Sequence, residues 1–352
     1  MPTPEVMWIR RGVGVAIEVV EQRIAAATLS EAAAQLRELR PQGRAFVCGT
    51  FDPQHSAAQA VVLLGPERAL DVASVTKAPS PSHVAAEHYR EYTGKIQQAT
   101  AKISATELEK VVLARALTLQ APATIDPTQV VACLAQAYPT CWTFYLDGLV
   151  GASPELLVRV QDGLVTSRVL AGTIRRAPGS EAKLASWLAG DDKNLREHEF
   201  ARDSVAAALR PFCTAMNVPE SPSVLHLPNV LHLASEITGA LKPGFSALDL
   251  AIALHPSAAV CGTPTELARQ TIAELEGLDR GHYAAPIGWV DAQGNGELAI
   301  ALRCGQIHPD DPSRITLYAG AGIVADSDAA EEYAETESKL LPMLHALGYT
   351  HE

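Results

Sequence analysis

Two pairs of short apolar runs, each pair closed by a tight-turn signal, set the strongest bound on what this chain can fold into. Leu156–Val160 and Leu164–Leu170 flank Gln161-Asp-Gly163, and Ile287–Val290 and Leu298–Ile307 flank Asp291-Ala-Gln-Gly-Asn-Gly296. Branched aliphatic residues suit a pleated, half-buried surface, and Asp-Gly or Asn-Gly accepts the positive φ that a hairpin turn demands. Antiparallel hairpins therefore belong to the fold. Ala60–Leu64, Glu109–Leu119, Cys141–Leu146 and Ile315–Ala319 read as further strands.

Between them lie helical periods. Ala and Leu recur at helical steps over Thr28–Leu39 before Pro41 stops the run, and Tyr89, Tyr92, Ile96, Ala99 and Ile103 form one apolar face. Asp126–Tyr138, Glu181–Leu188, Asp192–Phe212, Thr263–Leu275 and Ala329–Leu347 are also predicted helices, and Lys77–Ser82 a loop. Strands and helices do not alternate regularly, so the pattern points to α+β and away from a doubly wound sheet.

Composition narrows the function. With 352 residues, 47% of them hydrophobic, the chain can bury a large core. A formal charge of −12 argues against nucleic acid or an anionic membrane surface as partner, because both need a basic face. An anionic substrate would need local cations set against this background. No run approaches the roughly 18 to 20 apolar residues of a membrane helix, and the N-terminus lacks the apolar core of a secretory signal. Cys48, Cys133, Cys141, Cys213, Cys261 and Cys304 show no zinc-type spacing and are expected to be reduced thiols in a cytoplasmic protein.

Three groupings carry candidate chemistry. Lys110 sits in the apolar strand LEKVVLARAL, where desolvation would favour a neutral amine and thus a base; a lysine snorkelling from a sheet edge is the plain alternative. Glu155, after Ser-Pro in GASPELLVRV, can serve as an acid if held in a partly apolar pocket, or simply face water. Asn194 and Glu197 share one helix face, as do Glu332, Glu335 and Lys339 on another. Two such helices meeting could offer oxygen ligands to Mg²⁺; solvated faces would look the same in a string. Other motifs fail. Gly12-Val-Gly14 does not complete a dinucleotide fingerprint, His198-Glu199 lacks a second histidine, Gly151-Ala-Ser153 runs into Pro154, and there is no P-loop.

In their order and surroundings these blocks closely resemble the chorismate-utilising enzymes, which include isochorismate, salicylate, anthranilate and aminodeoxychorismate synthases. The matching segments are EKVVLARAL, GASPELLVRV, VLAGTIRR, DDKNLREHEF, HLASEITGAL, LHPSAAVCGTP, IGWVDAQGNGELAIALRCGQI, LYAGAGIV and EEYAETESKL, spanning about two-thirds of the chain. The resemblance implies the anthranilate/aminodeoxychorismate synthase-like fold: a single large α+β domain over residues 1–352, with two stacked, mostly antiparallel sheets flanked by helices. Residues 1–82 would be the variable N-terminal part of the sheet and 83–352 the catalytic core.

It also implies roles. Lys110 would activate water and Glu155 protonate the leaving group from the opposite ring face. Glu197 and Glu335 would bind Mg²⁺, with Glu332 and Asn194 near it. Gly172 and Thr173 would hold the ring carboxylate, and Arg303 with the backbone at Gly320 the enolpyruvyl carboxylate. His232, Lys339, Ala259 and Tyr318 would line the pocket.

Within the family, ammonia-using members typically carry glutamine where this chain has Lys110. One type of aminodeoxychorismate synthase has a nucleophilic lysine where it has Ala171. Water addition to chorismate, a hydroxymutase (isomerase) reaction giving isochorismate, is thus the implied activity. Salicylate synthases share the first half of that reaction and then eliminate pyruvate; Ala259 stands where they tend to have threonine. A non-catalytic relative binding a small dianion is the alternative of another class, and the intact Lys110 and Glu155 argue against it. With water in place of ammonia no glutaminase subunit is expected, the product would feed siderophore or menaquinone biosynthesis, and a monomer is the default expectation.

Overall fold

The computed structural model of the chain describes residues 3–39, 42–70, 83–84, 89–176, 179–226 and 230–349, so the predicted loop at Lys77–Ser82 lies outside the described residues. In chain order the elements begin with β1 (Val6–Arg10), β2 (Val13–Ile17), β3 (Gln22–Ala26), α1 (Leu29–Leu39), β4 (Arg44–Cys48), β5 (Ala60–Leu64), β6 (Glu67–Leu70), β7 (His83–Val84) and α2 (Tyr89–Ala105). Then follow β8 (Lys110–Gln120), α3 (Pro127–Ala137), β9 (Trp142–Leu146), β10 (Leu149–Ser153), β11 (Leu156–Gln161), β12 (Leu164–Arg175), α4 (Glu181–Gly190), α5 (Asp192–Leu209), β13 (Cys213–Asn217), β14 (Ser223–His226) and β15 (Val230–Leu241). The chain ends with α6 (Ala247–Leu254), β16 (Gly262–Thr263), α7 (Thr265–Leu275), β17 (Pro286–Asp291), β18 (Gly296–Ile300), β19 (Cys304–Ile307), β20 (Arg314–Ile323) and α8 (Ala329–Ala346).

The strands form two ten-stranded sheets. One runs β16-β8-β20-β19-β10-β9-β1-β2-β6, with β7 also on β8; the other runs β13-β15-β12-β11-β18-β17-β4-β5-β3, with β14 also on β15. Neighbours pair antiparallel throughout, as the hairpin signals require. The largest apolar core joins the N-terminal strands to the rest: Phe46 and Val62 share it with Leu113, Trp142 and Phe144. A second core lies under α3 and α8, and a small third one, Leu188 with Leu231 and Leu233, lies under α4.

One expected element is corrected. Leu298–Ile307 is not a single strand: β18 ends at Ile300, β19 begins at Cys304, and they belong to different sheets. Arg303 sits in the break with φ 50°. Apolar period alone cannot register a change of sheet, because both halves still alternate. β10 and β11 make the same crossing at Pro154 and Glu155. The two crossings lie side by side, since Ala152 N donates to Arg303 O at 3.2 Å and Ile300 N donates to Glu155 O at 3.1 Å.

Candidate active site

These adjacent crossings deliver Glu155 and Arg303 to one place between the sheets. The Glu155 side chain is half-buried, and desolvation drives its carboxyl up to about 7 even though Lys110, Arg303 and Lys339 all favour the anion. Arg303 is likewise half-buried; desolvation lowers its pKa while Tyr283, Glu335 and Glu155 pull the other way. Its left-handed backbone is the local strain that turns the guanidinium inward.

Lys110 enters from the first residue of β8. Its Nζ donates to Glu197 Oε1 at 2.8 Å, and its side chain is 19% exposed. A Cβ on Gly322 would lie 2.8 Å from Lys110 Cε, so that glycine on β20 leaves room for the amine to lie across the sheet. Glu197 is brought by α5, which is started by an Asp191 cap accepting from Asn194 N. His198, next along, is not a metal ligand here. Its Nδ1–H donates to Ala171 O at 3.2 Å, and its Nε2 meets Ser235 Oγ at 2.7 Å, docking α5 onto β12 and β15.

Gly172 forms a bulge in β12 with φ 75°, where a Cβ would meet Asn194 Oδ1 at 3.1 Å. The bulge lifts backbone out of the ladder beside α5, which glycine does without strain. Thr173, the next residue, pairs with His232 of β15. Burial, reinforced by Arg303 and Lys339, pushes the His232 imidazole down to about 3, so it stays neutral.

From α8, Lys339 Nζ donates to Gly320 O at 2.7 Å and to Glu335 Oε1 at 2.5 Å. Burial resists ionisation of Glu335, but Lys339, Arg303 and His232 outweigh it and hold the carboxyl below its usual range. Glu332, one turn earlier, accepts from Ser327 Oγ at 2.7 Å. Burial, with Glu335 adding repulsion, raises its pKa. That rise marks a spot where one more positive charge would be stabilised.

Among the described residues no three His, Cys, Asp or Glu side chains converge as a ready-made cage. A small hydrated dication needs less, one or two carboxylates plus water. Glu335 and Glu197 answer that need, each already holding a cation in the form of a lysine ammonium. The donor set fits Mg²⁺.

Ala259 lies in the turn between α6 and β16 and is half-buried. That turn is tied to β8, where Val112 N donates to Cys261 O at 2.7 Å. Tyr318 lies two residues before Gly320 on β20, so both project from the same face of that strand. Its ring stacks on Tyr283 at 5.2 Å and 14°, and it also lines a separate crevice of about 980 Å³ with Arg23, Asp147 and His282. Tyr283 lines that crevice too, its hydroxyl would be 3.1 Å from a Cβ on Gly320, and it acts on Arg303. Sequence reasoning missed it, because a tyrosine in an irregular loop carries no periodic signal.

The site therefore gathers Lys110, Glu155, Glu197, His232, Arg303, Glu335 and Lys339 into one electrostatic cluster. It combines an amine, a desolvated carboxyl, an arginine and two carboxylates that each hold a lysine ammonium. Such a cluster suits a small dianion that needs one proton taken and another given.

Comparison with known proteins agrees with that chemistry. The family described as "chorismate binding enzyme" matches residues 51–348. Isochorismate synthase DhbC of Bacillus subtilis is 41% identical over 275 residues, covering 74% of this chain and 68% of that protein. Among solved structures, DhbC from Bacillus anthracis superposes with a TM-score of 0.88 at 31% identity, covering 99% of this chain and 98% of that one. The menaquinone-specific isochorismate synthase MenF of Escherichia coli gives 0.86 at 26% identity, covering 99% and 89%.

Proposed function

The chain belongs to the chorismate-binding enzyme family, and from that premise we propose that it is an isochorismate synthase whose Lys110 and Glu155 work as base and acid on opposite faces of chorismate. Water is delivered to C2 with its proton passing to the Lys110 amine. Glu155, protonated, gives its proton to the departing 4-hydroxyl as the ring double bonds shift. One hydroxyl enters and one leaves, so the reaction is an isomerisation with no redox step. Lys110 donates to Glu197 in the resting arrangement, so it must leave that carboxylate and be neutral before it can accept a proton.

Chorismate carries two carboxylates, and each end of the site has a cation for one of them. Arg303, supported by the backbone at Gly320, offers a planar fork to the enolpyruvyl carboxylate. The ring carboxylate goes to the Gly172–Thr173 bulge. There Glu197 and Glu335, with Glu332 and Asn194 close by, would hold Mg²⁺. When bound, that ion supplies charge neutralisation and draws electron density from the diene, making C2 more electrophilic. His232, neutral, and Ala259 shape the remaining wall.

The observation that carries this reading is the carboxyl of Glu155: it is half-buried at a sheet crossing, desolvation pushes it up to about 7, and it lies within electrostatic reach of both Lys110 and Arg303. No helix among the described residues is long and apolar enough to cross a membrane. Residues 1–352 are read as one chorismate-binding domain with a variable first 82 residues, acting in the cytoplasm as a monomer and without a glutaminase subunit. Chromatography of purified protein incubated with chorismate and Mg²⁺ is expected to give isochorismate and no pyruvate. Prompt salicylate with stoichiometric pyruvate would overturn the assignment in favour of a salicylate synthase.

A further inference from the structure

Arg115 lies on β8, five residues beyond Lys110, and its side chain is only 5% exposed. Its guanidinium grips consecutive residues on one face of α8. Nε donates to Thr336 Oγ1 at 2.6 Å, and a terminal nitrogen bonds the carboxylate of Glu337. The same group lies 4.5 Å from the Tyr333 ring centroid and 5.9 Å from that of Tyr92. Thr336 passes the contact on by donating to Tyr333 O at 2.6 Å, and Tyr92, whose hydroxyl donates to Leu113 O at 2.9 Å, closes the ring back onto β8.

Helical geometry gives this grip a consequence. Residues 333, 336 and 337 recur at three- and four-residue steps and share a face; 332, 335 and 339 share the adjoining face, about 100° around the axis. Fixing the first face against β8 fixes where the second one points. Polar partners at 336 and 337 and a ring at 333 define the roll of the helix more tightly than apolar packing alone, because each has a direction. A guanidinium makes all of these contacts at once; an ammonium cannot, since it lacks the planar fork.

We propose that Arg115 is a positioning residue that sets the roll of α8, and with it the aim of Glu335 and Glu332 at the cation site. The proposal rests on those carboxylates being the metal-binding ones. Arg115 touches neither substrate nor metal; it acts through Thr336 and Glu337.

Mn²⁺ serves as a paramagnetic probe for the cation site, read from the free-ion signal in electron paramagnetic resonance without any turnover. Arg115→Lys, keeping the charge but losing the fork, should weaken Mn²⁺ binding at least tenfold in protein whose near-ultraviolet circular dichroism is unchanged. Glu337→Ala removes one contact at a half-exposed position and should weaken it severalfold, which keeps the test open if Arg115→Lys does not fold. Val62→Ala, a cavity in β5 far from α8, controls for general destabilisation and should leave Mn²⁺ uptake as in the parent. Binding within twofold of the parent in Arg115→Lys, or in Glu337→Ala should the first not fold, overturns the proposal. So does an equal loss in Val62→Ala, which would make the effect mere instability. A parent protein that takes up no Mn²⁺ would instead bring down the metal assignment, and the positioning role with it.

Discussion

In the proposed mechanism, desolvation of one carboxyl governs the chemistry at the scale of single residues. Glu155 is a better acid near neutrality because desolvation opposes its charge more than Lys110, Arg303 and Lys339 favour it. With a value of about 7 in the free protein, its protonated fraction falls as pH rises through that point, so kcat/KM should decline on the alkaline side with a midpoint there. Glu155→Gln should lower kcat by roughly 10²- to 10⁴-fold, the usual worth of a general acid. The stability sign follows from the same shift. A carboxyl raised on folding binds its proton more tightly in the folded state, so its contribution is complete below the unfolded value and is lost as pH climbs through about 7. Melting temperatures of Glu155→Gln should therefore gain on the parent between pH 4.5 and pH 8. A flat difference would mean that Glu155 is not desolvated. Lys110, Glu197 and the α8 acids were legible as candidates by type and spacing, whereas Arg303 emerged only from the family resemblance. Burial was not legible, and it is burial that distinguishes an acid from an ordinary surface glutamate.

Helices and strands act as carriers whose fine placement depends on small residues. Gly322 on β20 faces Lys110 on β8, and a methyl group there would come within 2.8 Å of the flexible Cε. The lysine can swing aside at little cost to folding, but its amine then leaves its working position. Gly322→Ala should therefore keep a parent-like melting temperature while kcat falls about 100-fold, the effect of misplacing a reacting group by around an ångström. Equal losses of stability and activity would contradict that division. Element existence was largely readable: α2, α3, α7 and α8 match their apolar periods to within a few residues. α6 escaped notice, although Ser246 and Asp249 form a reciprocal capping box at its start. Its eight residues are apolar on nearly every side, so no amphipathic face betrayed it.

For the molecule as a whole, the defining feature is that two of the chain's switches between sheets, β10 to β11 and β18 to β19, lie side by side and each carries a candidate side chain of the site. Around those crossings, a buried ion pair ties the frame together. Arg280 and Glu276 are 2% and 1% exposed, and Glu276 also accepts from Ala114 N at 2.7 Å. Arg280 donates to Val112 O at 2.7 Å and to Val260 O at 2.9 Å, joining the strand of Lys110 to the turn of Ala259. Arg280→Met strands Glu276 as an uncompensated buried charge and should cost about 3 to 5 kcal/mol in urea unfolding. The sheet crossings could not be read from the string, since they depend on contacts across long separations; Glu276 and Arg280 lie only four residues apart, but their burial could not be read either. The early strands β1 to β4 were equally obscure: β1 pairs with β9 and β4 with β17 across a hundred or more residues, and their more local pairings with β2, β5 and β6 carried no clear turn signal. What joins all three scales is water entering at C2 while the 4-hydroxyl departs. Turnover of chorismate in ¹⁸O-enriched water, followed by mass spectrometry, tests this most directly. The account predicts one ¹⁸O atom per isochorismate, located on C2; unlabelled isochorismate would show that the hydroxyl migrates within the substrate and would contradict it.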